Sequence, residues 1–105
     1  EIRDLMAYLR LLANDEDDPA FIRAVTTPKR GIGNATLEAL GRYSGQRHVS
    51  MFAALFETGF ESQVAARQLE PLRAFGEFAN RIGWRAAREP AAQVIDDLAG
   101  RTVRV

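Results

Sequence analysis

Apolar residues recur along this chain at steps of three and four, and nowhere do they alternate for long enough to make a strand. Ile2, Leu5, Met6, Leu9, Leu12 and Ala13 predict a first helix over about residues 2–14, with Arg3, Asp4 and Arg10 outward. The run Asn14-Asp15-Glu16-Asp17-Asp18 breaks that pattern. Asp18-Pro19 then reads as a helix start, with Asp18 as N-cap and Pro19 at the first helical position. Phe21, Ile22 and Val25 give the second helix its buried face, and Thr27-Pro28 ends it, since the residue before proline avoids the helical region.

Asn34 is a suitable N-cap for a third helix that turns Leu37, Leu40 and Tyr43 inward and closes over Ser44–His48. Ser50 caps a short fourth helix with Phe52, Leu55 and Phe56 on its apolar face, ended by Thr58-Gly59. A long helix follows over roughly residues 68–88, with Leu72, Phe75, Ala79, Ile82 and Ala86 as its stripe. Gly76 and Gly83 lie near that stripe and predict a close helix approach. Glu89-Pro90 opens a final helix bearing Val94, Ile95 and Leu98, with Gly100 as its stop. Residues 102–105 are too short a stretch to assign. The fold class is all-α: a compact bundle of five to six helices with a glycine hairpin between the second and third.

Neither an internal repeat nor a low-complexity linker divides the 105 residues, so they form one domain or a piece of one. The chain opens at Glu1 inside a helical pattern and reaches Val105 without a clear stop, so the expectation is an excerpt from a longer protein. No cysteine is present, which excludes disulfides and cysteine-ligated zinc. No apolar run approaches the ~20 residues of a membrane helix, and no signal-peptide pattern occurs.

The net charge is zero, but its distribution is uneven. Residues 1–18 carry six acidic and two basic side chains, whereas residues 19–48 carry five basic ones (Arg23, Lys29, Arg30, Arg42, Arg47) against Glu38. That locally basic stretch points weakly to a polyanion.

Several chemistries are missing. A phosphate-binding loop needs a glycine-lysine pair, and the single lysine, Lys29, follows a proline. His48 is the only histidine, so a histidine metal cluster is excluded, and it reads as a surface residue. Asp96 and Asp97 are adjacent and point to different sides of a helix, which argues against shared acid–base work. The acidic run 15–18 reads as a solvated loop and cap, since it lacks the glycine and distal glutamate of a calcium loop. Phe52, Phe56, Phe75 and Trp84 fall in helical patterns and are expected in the core. Arg73, Arg81, Arg85 and Arg88 are expected on a solvated face, with a second backbone contact as the alternative.

What remains is Thr27-Pro28-Lys29-Arg30-Gly31-Ile32-Gly33-Asn34-Ala35-Thr36. Glycines leave backbone N–H groups uncovered, the following helix start points its unpaired amides the same way, and two cations stand beside them. Such a turn can hold a nucleic-acid phosphate without reading base sequence, with Ile32 as its buried anchor. It can equally be a tight interhelix connection, and the two roles are compatible.

Glu1-Ile2-Arg3-Asp4-Leu5-Met6-Ala7-Tyr8-Leu9-Arg10-Leu11, Asn14, Asp17-Asp18, Phe21-Ile22-Arg23, Thr27 through Gly33 and Thr36-Leu37 together resemble the UvrD/Rep/PcrA helicases, superfamily 1 motors that move 3′ to 5′ on single-stranded DNA. The match is dense over residues 1–40, and residues 49–57 and 88–98 look more like the Rep branch. Residues 58–68 carry little signal.

The resemblance implies that residues 1–105 are part of the 2B subdomain of an ATP-dependent DNA helicase of bacterial replication or repair, cytoplasmic and nucleoid-associated. It implies a duplex-backbone contact at Gly31, Ile32 and Gly33, with Lys29, Arg30, Asn34 and Thr36 as neighbours. It implies DNA and the other helicase domains as partners, and no membrane. ATP and magnesium belong to the parent, whose motor motifs lie outside this stretch, so no catalytic residue, metal site or cofactor is expected here. The alternative reading is a regulatory or protein-interaction module with little DNA affinity.

Overall fold

The acidic run after the first helix caps two helices, not one. The computed structural model describes residues 2–26 and 31–102, and α1 (Ile2–Ala13) and α2 (Asp18–Val25) flank that run. Asp17, rather than Asp18, is the N-cap of α2: its Oδ1 accepts from the Ala20 N–H at 3.1 Å. Asp18 reaches across to α4 (Met51–Ala54), where its Oδ1 accepts from the Met51 N–H at 3.0 Å. Ser50 caps the same helix as its sequence position predicts, accepting from Ala53 at 3.1 Å. The four residues of α4 thus have two of their orphan amides satisfied by side chains, one of them from 33 positions away.

The remaining elements are α3 (Asn34–Arg47), a 3-10 helix (Thr58–Ser62), α5 (Ala66–Ala86) and α6 (Ala91–Thr102). Six α-helices and no strand among the described residues bear out the all-α reading. A radius of gyration of 13.6 Å is close to the value of about 13 Å for a compact chain of this length. The helices close around an aromatic centre. Phe75 of α5 meets Phe21 of α2 at 5.9 Å and Tyr8 of α1 at 6.2 Å between ring centroids, and Phe21 meets Phe52 of α4 at 6.2 Å. Leu40, Leu55, Phe60, Leu72 and Leu98 are fully buried around it.

Several helices turn a different face inward from the one expected. In α1 the buried residues are Ala7, Tyr8 and Leu11, while Met6 is exposed. Both faces of that helix are apolar, and the orientation adopted is the one that buries the tyrosine ring. Ala20, Phe21, Ala24 and Val25 fill the inner side of α2 and leave Ile22 outside. In α6, Val94 and Leu98 lie one turn apart and are buried, Ile95 is exposed, and Gly100 lies within the helix rather than ending it. Phe56 and Trp84 are also exposed, against the expectation of core packing.

The long helix spans 66–86, two residues earlier than its pattern predicts, and its buried stripe stops at Ile82, with Ala86 exposed. Pro71 sits in its second turn, where the missing N–H leaves the Arg67 carbonyl without its helical donor. Gly76 does permit a close approach: a Cβ there would lie 2.6 Å from Cζ of Phe56 and 2.9 Å from Cδ1 of Leu55. Gly83 does not, since its nearest neighbour would be Cδ2 of Leu12 at 3.9 Å.

Candidate nucleic-acid interface

The turn into α3 contains both glycines that the sequence singles out, and they do different work. Gly31 has φ +78°, in the left-handed region that L side chains disfavour, and a Cβ there would meet nothing within 4 Å. Its conformation, not crowding, calls for glycine. Gly33 is extended, with φ −87° and ψ 168°, and it is the N-cap of α3. Asn34, expected as the cap, is instead the first helical residue. The Gly33 carbonyl accepts the Leu37 N–H at 3.2 Å, which sets the helix start one residue earlier than the Asn34 side chain would.

A glycine cap has no side-chain acceptor, so the amides of the first turn receive no capping bond from it. The first turn of α3 also carries no acidic residue to offset the positive end of the helix. Gly31, Gly33, Asn34 and Ala35 are exposed, and Ile32 is half-buried against the core as an anchor should be. Thr36 departs from the expectation: it is 3% exposed, so it packs beneath the turn and presents no side chain to a ligand. Thr27, Pro28, Lys29 and Arg30 lie outside the described residues. Exposed Gly33, Asn34 and Ala35 thus stand at the positive end of a 14-residue helix, a place that suits an oxyanion.

The far end of α3 fixes the direction of that helix. Glu57, between α4 and the 3-10 helix, accepts at Oε1 from Tyr43 Oη at 2.8 Å and from Arg47 Nε at 2.9 Å. These two bonds hold the Glu57 carboxyl below the usual carboxylate range, Tyr43 contributing most, and the same carboxylate pushes the Tyr43 phenol up. Arg73 of α5 grips the same corner, donating to the carbonyls of Leu55 at 2.6 Å and Glu57 at 3.3 Å and to Glu61 at 3.3 Å. Arg73 is therefore a cap for the end of α4, not part of a solvated face. Nothing in the sequence spacing marks Glu57 or Arg73, because their partners stand 10 to 18 positions away.

Elsewhere, His48 is an exposed residue with φ 58° at the end of α3. Arg85 is engaged by Glu89 at 3.0 Å and Asp97 at 2.5 Å, which holds its guanidinium firmly protonated and ties α5 to α6. Among the described residues no three metal-ligating side chains come together, and no helix is long and apolar enough to cross a membrane.

Residues 1–64, from α1 through the 3-10 helix and including the glycine turn, match the UvrD-like helicase C-terminal domain, and the chain belongs to that family. Among individual proteins, it is 47% identical over 100 residues to the ATP-dependent DNA helicase Rep of Escherichia coli (strain K12), covering 95% of this chain and 15% of that protein. It is 37% identical over 107 residues to the DNA helicase II of the same organism, covering 98% of this chain and 15% of the relative. An ATP-dependent DNA helicase PcrA of Staphylococcus epidermidis is 47% identical over 60 residues, covering 57% of this chain and 8% of the relative. The chain thus spans about 15% of the length of the Rep and helicase II relatives. The family resemblance read from residues 1–40 is borne out.

Proposed function

We propose that this chain is part of the 2B subdomain of a Rep-like, ATP-dependent 3′–5′ DNA helicase of the cytoplasm, and that its turn at residues 29–34 grips the phosphate backbone of duplex DNA. The observation that carries the reading is the uncapped, exposed N-terminus of α3 behind Gly31 and Gly33. Lys29 and Arg30 adjoin it in sequence and supply positive charge. The relatives' names say ATP-dependent DNA helicase, and the turn falls within the stretch that matches their family.

In this reading the turn is a sequence-independent handle. Backbone amides of residues 33–35 and the two cations hold phosphate oxygens, Ile32 pins the loop to the core, and Glu57 with Arg73 keeps α3 aimed. ATP and magnesium belong to the motor domains of the parent, and the chain alone is an accessory module that binds DNA without turning over nucleotide.

The test is the affinity of the 105-residue chain for a short duplex at low and moderate salt. Gly31→Asp and Arg30→Glu are expected to weaken binding, and each lost phosphate contact lowers the log–log salt slope by about 0.9. Duplex affinity unchanged by both substitutions overturns the assignment and leaves the turn as a connection only.

A further inference from the structure

Phe56 and Trp84 are rings that helical spacing places in the core and the fold leaves outside, 38% and 58% exposed. Phe56 lies against Gly76 of α5, and Trp84 stands roughly 12 Å further along that helix, about two turns on. A groove of about 280 Å³ opens between α1 and α5, with the indole as one wall and buried Leu11, Phe52 and Ala79 as its floor. Phe56 meets Phe52 edge-on at 5.3 Å between ring centroids, so apolar surface continues from the groove floor out to Phe56. An exposed apolar strip of this kind marks a place where another surface docks.

The charge at this groove is negative. Asp15 is the one charged residue in its lining; it is exposed, and it lies just past the end of α1, where the helix dipole is also negative. No ion pair among the described residues involves Asp15. The nearby cations are engaged or face elsewhere. Arg88 holds its guanidinium 4.3 Å from the indole centroid and donates to the Trp84 carbonyl at 3.2 Å. Arg85 is held by Glu89 and Asp97, and exposed Arg10 and Arg81 line no part of the groove. A polyanion is repelled here, and the complementary group is a cation on an apolar body. The volume falls just below the usual range for small-molecule sites, about 300–1,000 Å³, and the apolar strip runs on beyond it. That shape suits the anchor side chains of a helix laid along α5.

We infer that the α1–α5 groove docks a basic amphipathic helix of another protein, its aliphatic side chains lying between Phe56 and Trp84 and a lysine or arginine reaching Asp15. Anchors at steps of three, four and seven cover the same two turns that separate the rings. The inference is independent of the proposed function, in which the turn before α3 takes an anion.

Because Trp84 is the only tryptophan, its emission reports whether the groove wall is covered. The chain is titrated with a capped helical peptide of about 14 residues, free of aromatic residues, with leucines at i, i+3, i+4 and i+7 and lysines flanking them. A counterpart carries glutamate in place of every lysine. The lysine peptide is expected to shift the emission to the blue saturably, and the glutamate peptide to leave it in place. Asp15→Asn is expected to weaken the lysine peptide about two- to fivefold, as loss of an exposed charge pair does, and Glu16→Gln, outside the lining, to leave its affinity unchanged. Gly83→Met fills the groove with an unbranched side chain and favours the helix, so it is expected to keep the fold and abolish the shift. No shift, an equal shift with both peptides, unchanged affinity in Asp15→Asn, an equal loss in Glu16→Gln, or a shift that survives Gly83→Met overturns the inference. A blue shift of the chain alone that grows with its own concentration makes a second copy the occupant and overturns it too. So does a longer parent protein that fails to bind the labelled peptide, since the remaining chain then fills the groove. Gly31→Asp is expected to lose duplex binding and keep the peptide, so the two readings fail separately.

Discussion

Gly31 and Gly33 are two residues apart and answer to different constraints. Placing a Cβ at Gly31 creates no contact, yet the backbone there has φ +78°. Gly31→Ala is therefore expected to cost about 1 kcal/mol through backbone strain alone, read as a lower urea midpoint with an unchanged slope. Gly33 is extended and open, so a serine fits it and caps α3. Gly33→Ser is expected to raise stability by a few tenths of a kcal/mol and to weaken duplex binding, because its hydroxyl then occupies an amide that the proposed function assigns to phosphate. A connection-only turn gains the stability and loses no affinity, so measuring both on one variant separates the two roles. The special character of this pair was legible from sequence as a glycine-rich turn. Which glycine bears the positive φ was not, since that depends on the direction in which α3 leaves.

At the scale of elements, the small helix α4 depends on its neighbours. Four residues cannot sustain a helix on their own hydrogen bonds. Asp18 from α2 caps its start and Arg73 from α5 caps its end. Asp18→Ala is expected to cost about 1 kcal/mol in chemical denaturation, and Asp18→Asn, which keeps an acceptor, to recover most of it. Gly76 governs the packing of α5 on the same corner. Gly76→Ala drives a methyl into Phe56 and the fully buried Leu55, so a loss of about 1–3 kcal/mol is expected, relieved in part because half-exposed Phe56 can swing outward. Ser50 and the acidic run announced caps in the sequence. The assignment of Asp18 to a helix 33 positions away did not, because short-range patterns carry no information on which chain segments meet.

Over the whole molecule, titration reports on the latch that aims α3. The Glu57 carboxyl is held low by Tyr43 and Arg47, so its contribution is present above the ordinary carboxylate pKa of about 4.3 and is lost as pH falls through the lower folded value. Tyr43 is pushed up, so its contribution is present below about pH 10 and is lost as pH rises through the higher folded value. Between those limits this latch contributes a flat profile. Glu57→Gln is expected to remove its share of the acid limb and of the alkaline limb in a series of urea midpoints against pH, and to leave the neutral plateau lower. A plateau that stays where it was, with both limbs unaltered, shows that the latch contributes nothing.

The sequence by itself determined the class of fold, the order of the α-helices, the fully buried Phe21, Leu40, Leu55, Leu72, Phe75 and Leu98, and the family. Those follow from period, capping residues and motif order, all of which are local along the chain. Tertiary structure decided which apolar face of α1, α2 and α6 turns inward, why Phe56 and Trp84 remain outside, which aspartate caps which helix, and that Thr36 lies beneath the turn rather than on it. Where a helix is apolar on more than one side, period cannot choose between the sides. The choice falls to the shape of the partner surface, here the aromatic centre around Phe75 that only the closed bundle creates.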